Sequence, residues 1–206
     1  MVFLLGTFIY IHITDINIPV LSADLNILNE YQDPEEVPPP KPEVFKNYGP
    51  APELDGITKW INTEPLTISG LKGQVVLINF WNYSSIHSVK AFPHIGRWSQ
   101  EYKDAGLKVV GVHTPEFAFE KVTGNLENAI KSHNVTYPVA QDNNYKTWAA
   151  YKNQFWPAYY LIDRDGNLVY AHYGEGNYEA TEKALRILLG LEGTYATPPM
   201  TESNQA

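Results

Sequence analysis

Residues 75 to 93, VVLINFWNYSSIHSVKAFP, constrain the fold of this chain more than any other stretch. The apolar run from Val75 to Trp81, interrupted only by Asn79, has the length of a strand buried in a core. Ser84 and Ser85 then open an amphipathic segment with Ile86, Val89 and Phe92 on one side, the spacing of a helix. The expected unit is strand, sharp turn, helix. A helix N-terminus presents unpaired backbone N–H groups and the positive end of the macrodipole, so a cysteine placed there is stabilised as thiolate. A serine in that place stays protonated and forms no disulfide. The chain contains no cysteine at all. Thiol-disulfide exchange, a structural disulfide framework and a zinc-thiolate site are therefore excluded together.

At 206 residues, the length suits one ordinary domain of roughly 100 to 200 residues with appendages. A hydrophobic content of 44% suffices for a packed core, and a formal net charge of -8 without clustered Lys or Arg argues against nucleic acid as a partner.

Residues 1–28 open with an apolar run, MVFLLGTFIYIHIT, too short for the ~20 residues of a membrane span. It has the length of a signal-peptide core, but no basic residue precedes it and Leu21-Ser22-Ala23 is a poor cleavage site. An export signal, the remnant of a membrane segment and a hydrophobic strand remain open. Residues 29–53 are rich in proline, which favours extended backbone and removes ladder donors, so they read as a semi-rigid linker or as an arm along the domain surface.

The globular pattern is expected over residues 54–190, and residues 191–206 read as a flexible tail. Strands are expected at Ile57 to Ile61, Leu66 to Ile68, Leu107 to His113, Thr136 to Ala140, Ala158 to Ile162 and Leu168 to Tyr173. Helices are expected from Ser85 to about Asp104 with Pro93 bending it, from Leu126 to His133, around Tyr145 to Tyr151, and after Asn177 as N-cap. Strands alternating with helices and closing on a hairpin predict an α/β fold with a central mixed sheet flanked by helices.

Three separated segments resemble the thioredoxin superfamily, and within it the TlpA/DipZ (redoxin-like) type of thiol-disulfide oxidoreductase. They are Phe80-Trp81-Asn82-Tyr83-Ser84 running into Ser85-Ile86-His87-Ser88, then Gly111-Val112-His113-Thr114-Pro115-Glu116-Phe117, then Trp156-Pro157-Ala158-Tyr159. The resemblance covers roughly Leu66 to Leu189. It implies a thioredoxin fold with an N-terminal strand extension and a helix inserted between core strands. Ser85 stands at the attacking cysteine, Ser88 at the resolving one, and Pro157 at a cis-proline. The resemblance also makes Glu116 the buried acid beneath the motif, while Asn79 replaces the aspartate of ordinary thioredoxins and cannot relay a proton. Trp81, Ile86, His87, Trp156 and Pro157 are the expected contacts for an extended peptide segment of a substrate or redox partner. No cofactor is implied, and an extracytoplasmic setting, periplasmic or membrane-anchored, is. The alternative is a non-catalytic binding module that uses the same groove.

Simpler readings apply to individual residues. Serine is among the best N-caps, worth roughly 1 kcal/mol over alanine, which accounts for Ser84 and Ser85 without chemistry. His94, His113 and His172 show no local ligand spacing, and no metal is expected.

Overall fold

The computed structural model describes residues 45–192, together with the backbone of two short strands near the start. Those two, β1 (Phe3–Leu5) and β2 (Phe8–Tyr10), pair antiparallel as a separate ribbon. The readings placed on the rest of residues 1–44 and on residues 193–206 lie outside the described residues. Among the described residues no helix is long and apolar enough to cross a membrane.

The sheet of the domain is built around β4 (Val75–Trp81), all seven residues of which are buried. Alternation of side chains along a strand sends Val75, Leu77 and Trp81 to one face, and Val76, Ile78 and Phe80 to the other. Burial on both faces is what a near-continuous apolar run requires. The remaining strands are β3 (Lys59–Ile61), β5 (Leu107–His113), β6 (Val139–Gln141), β7 (Ala158–Ile162) and β8 (Leu168–Tyr173). Their order is β3-β6-β5-β4-β7-β8. The pairs β4/β5 and β5/β6 are parallel, and β3/β6, β4/β7 and β7/β8 are antiparallel, so the sheet is mixed.

Helices α1 (Ile86–Glu101), α2 (Thr123–Ser132) and α4 (Tyr178–Leu188) cover one face. Phe92, Ile95 and Trp98 of α1, Leu126 of α2 and Leu185 of α4 share a core with Leu77 and Trp81. The opposite face packs against Leu54, Leu71 and Tyr151, the last ending α3 (Lys146–Ala150). This is the α/β arrangement expected, with α2 inserted between β5 and β6.

Two local expectations change, and one open alternative is decided. Leu66 to Ile68 forms no strand but leads into a single 3-10 turn, Ser69–Leu71. The Glu53 carboxyl accepts the amides of Ile68 (2.7 Å) and Ser69 (2.9 Å), which are then not free for a strand ladder. Of the two readings of residues 29–53, the described residues 45–53 follow that of an arm along the domain surface. Phe45 is buried in the core, and Tyr48 N donates to Leu168 O while Leu168 N donates to Gly49 O, covering the start of the β8 edge. Asn177 does precede α4, but it sits in the left-handed region and its side-chain amide donates to Tyr170 Oη at 3.3 Å instead of capping the helix.

One close approach depends on glycine. A Cβ on Gly111 would stand 2.7 Å from Trp81 Nε1 and 2.9 Å from the Tyr137 ring. Trp81 and Tyr137 are both buried, so neither swings aside cheaply. Gly111→Ala is expected to destabilise the domain by about 1 to 3 kcal/mol, read as a lower urea midpoint with unchanged slope.

Candidate functional site

The C-terminal end of β4 delivers the chain to the first turn of α1, and a closed ring of hydrogen bonds shapes that turn. Asn82 Oδ1 accepts from Ser85 N (3.1 Å), Ser85 Oγ accepts from Ser88 N (3.4 Å), and Ser88 Oγ accepts from Asn82 N (3.4 Å). Ser85 is thus the side-chain N-cap of α1. Ser88 and Asn82 are fully buried, Ser85 is half-buried, and Ile86 and His87 stand in solvent.

A second chain segment is tied to the same turn by a buried acid, Glu120. Its Oε1 accepts from Ser84 N (3.3 Å) and Ser84 Oγ (2.9 Å), and its Oε2 accepts from Glu116 N (2.6 Å) and Phe117 N (2.9 Å). Glu120 lies on a 3-10 turn, Ala118–Lys121, within the stretch that the sequence pattern left irregular.

The third component comes from β7. Phe80 pairs with Ala158, so Pro157 lies one residue beyond that pair, at the sheet end where β4 hands over to α1. The Trp156–Pro157 peptide is cis, as the resemblance implies. The Trp156 ring, half-buried, packs 4.4 Å from that of Trp148.

Residues 50–188 match the Redoxin family over this entire arrangement. The chain belongs to that family. Protein DipZ of Mycobacterium tuberculosis is 51% identical over 148 residues, which are 70% of this chain and 21% of DipZ. The thiol-disulfide oxidoreductase YkuV of Bacillus subtilis is 29% identical over 140 residues, 68% of this chain and 94% of YkuV. The crystal structure of the thioredoxin-like superfamily protein SPOA0173 superposes with a TM-score of 0.65 at 26% identity, covering 73% of this chain and 99% of that one. The chain is a thioredoxin-like protein of TlpA/DipZ type with a serine at both motif positions. It spans only about a fifth of DipZ's length, 21%.

Within this Redoxin-family domain, two expected site residues change character. Glu116 is not the buried acid. It is exposed and accepts from Asn82 Nδ2 at 3.2 Å, while Glu120, four residues on, is the acid enclosed beneath the turn. Trp81 is fully buried, edge-on to Phe92 (5.0 Å) and His113 (5.1 Å), and supports the turn from below without a surface for a partner. Asn79 is buried in mid-strand beside the hydroxyl of Tyr137. Sequence reasoning also missed Asn82, although Asn is a residue that commonly bonds nearby backbone in turns. Only the tertiary fold brings Glu120 to Ser84, so no local pattern points to it.

The histidines do not converge. His94 stacks on Tyr178 at 3.7 Å, His113 on Tyr83 at 5.4 Å and His172 on Tyr159 at 5.7 Å. Among the described residues no group of three or more His, Cys, Asp or Glu could hold a metal ion.

Burial pushes the His113 imidazole down from 6.5 to about 4, against the opposing pull of Glu120. Below pH 6.5 the unfolded chain therefore takes up a proton that the folded state refuses. Stability fully present above pH 6.5 is lost as the pH falls toward 4, by up to about 3 kcal/mol. Urea melts between pH 7 and 4.5 are expected to show this slope, and His113→Phe to flatten it. Replacing Glu120 is expected to cost stability at neutral pH. Glu120→Ala leaves the Ser84, Glu116 and Phe117 amides without their acceptor and should lower stability by roughly 1 to 3 kcal/mol in all, because these amides belong to exposed residues that water can reach. Glu120→Gln, which keeps one accepting oxygen, should cost less in the same melts.

Proposed function

We propose that this chain keeps the scaffold and partner groove of a thiol-disulfide oxidoreductase domain but carries out no dithiol exchange, and instead holds an extended partner segment. The observation that carries the reading is the ring at the start of α1. Both oxygens that stand at the family's sulfur positions serve as hydrogen-bond acceptors for backbone amides. Thiol sulfur is a weaker acceptor, so serine suits a closed turn, whereas exchange needs a thiolate that attacks a disulfide sulfur and a second sulfur that resolves the intermediate.

Holding a segment requires a surface beside the turn. Ile86, 61% exposed, follows Ser85, and Phe155, 49% exposed, precedes the half-buried Trp156, in the two segments that meet at this sheet end. The backbone next to a proline of this kind can accept an extended strand by main-chain pairing. An extracytoplasmic setting, periplasmic or on a membrane tether, belongs to the same proposal and rests on the apolar residues 1–28 and the proline-rich residues 29–53.

Insulin reduction in the presence of dithiothreitol tests the reading. The chain is expected to give no rate above the reagent alone, and Ser85→Cys/Ser88→Cys is expected to give a measurable one. Turnover by the unaltered chain would overturn the proposal. A folded but inert double variant would favour a module whose groove serves binding only.

A further inference from the structure

The segment that brings Glu120 to the motif also holds aromatic side chains out in water. Phe117 is 48% exposed and Phe119 is 51% exposed, with parallel rings 5.6 Å apart. Phe119 in turn lies 6.1 Å from Tyr83, two residues before Ser85. The three rings make a continuous apolar strip that runs from the motif along the 3-10 turn.

The backbone beneath the strip is pinned. Glu120 holds the amides of Glu116 and Phe117, while Phe119 O accepts from Tyr83 Oη (3.2 Å) and from Asn125 Nδ2 (3.0 Å). The phenylalanines cannot turn inward without breaking these bonds. Fixed exposure of neighbouring aromatic rings marks a contact surface more than an isolated apolar residue does. At the inner end of the strip stands the exposed acidic side chain of Glu116, fastened to Asn82 and so to the motif turn.

We propose that Tyr83, Phe119 and Phe117 form a selectivity shelf beside the motif, occupied by a partner segment that carries an aromatic or long aliphatic side chain next to a Lys or Arg. The apolar side chain covers the paired phenylalanines, and the basic one meets Glu116. An aromatic strip bordered by an acid complements that pair of side chains and disfavours an acidic segment by like-charge repulsion. The inference rests on the groove reading above for the rest of the partner's path, and it adds which sequences that path accepts.

The test uses the full chain and three labelled peptides of Gly and Ser with Lys-Phe, Lys-Ser or Glu-Phe at the centre, followed by fluorescence anisotropy. The Lys-Phe peptide is expected to bind about tenfold more tightly than either of the others, the scale of losing one aromatic anchor. Phe117→Ser/Phe119→Ser should remove the preference over the Lys-Ser peptide, Phe117→Leu/Phe119→Leu should largely retain it, and matching melting temperatures show that the exposed substitutions leave the fold intact. Trp156→Ala separates the two proposals. Preference lost with the serine pair but kept with Trp156→Ala supports the shelf and counts against the groove. Binding lost with Trp156→Ala but indifferent to the serine pair supports the groove and overturns the shelf. Equal binding of all three peptides, or no binding of any, overturns the shelf.

Discussion

A single buried carboxyl group joins the two loops on which this domain's candidate site depends. Glu120 accepts two hydrogen bonds from Ser84 and one each from the amides of Glu116 and Phe117. An acid fully removed from water is costly unless its oxygens are satisfied, and here both are. The same bonds hold the turn after β4 against the segment after β5. Two further bonds, Asn82 Nδ2 to Glu116 Oε2 and Tyr83 Oη to Phe119 O, join the same two segments nearer the surface. The aromatic strip and the motif turn therefore share one buried anchor.

At the motif itself the decisive contrast is between oxygen and sulfur in one geometry. The turn closes through Asn82, Ser85 and Ser88, each giving or taking one bond to the next. A hydroxyl at a helix N-cap is a good acceptor and a poor nucleophile, whereas a thiol there is the reverse. Ser85 is thus a structural cap of α1, with the strand, the helix and the neighbouring cis Trp156–Pro157 peptide of the fold in place. Family membership and the absence of cysteine are compatible for this reason. The fold rests on burial of β4 from both sides, and sulfur contributes nothing to that.

The sequence pattern was most informative where periodicity and burial coincide. The run from Val75 to Trp81 is β4 without a shifted end, and Ser85 is the cap of α1. Leu107 to His113 and Ala158 to Ile162 are strands with the expected bounds. Reading failed where a long-range partner overrode local preference. Leu66 to Ile68 has the composition of a strand, but Glu53, some fifteen residues earlier, captures the amides of Ile68 and the following Ser69. The composition of residues 45–53 fits a linker and a surface arm equally, and only the burial of Phe45 decides for the arm. Within the site, the acid at position 116 matches the family segment by sequence, yet the 3-10 turn that follows swings position 120 inward in its place.

By itself, the sequence determined the strand-turn-helix unit, the family and the absence of exchange-competent sulfur, because each of these depends on residue identity over short spans. Tertiary structure alone decided which acid is enclosed, which tryptophan is buried and which aromatic rings remain in water. Those outcomes depend on how strands distant in the chain are placed side by side, and a side chain's exposure is a property of its neighbours in space.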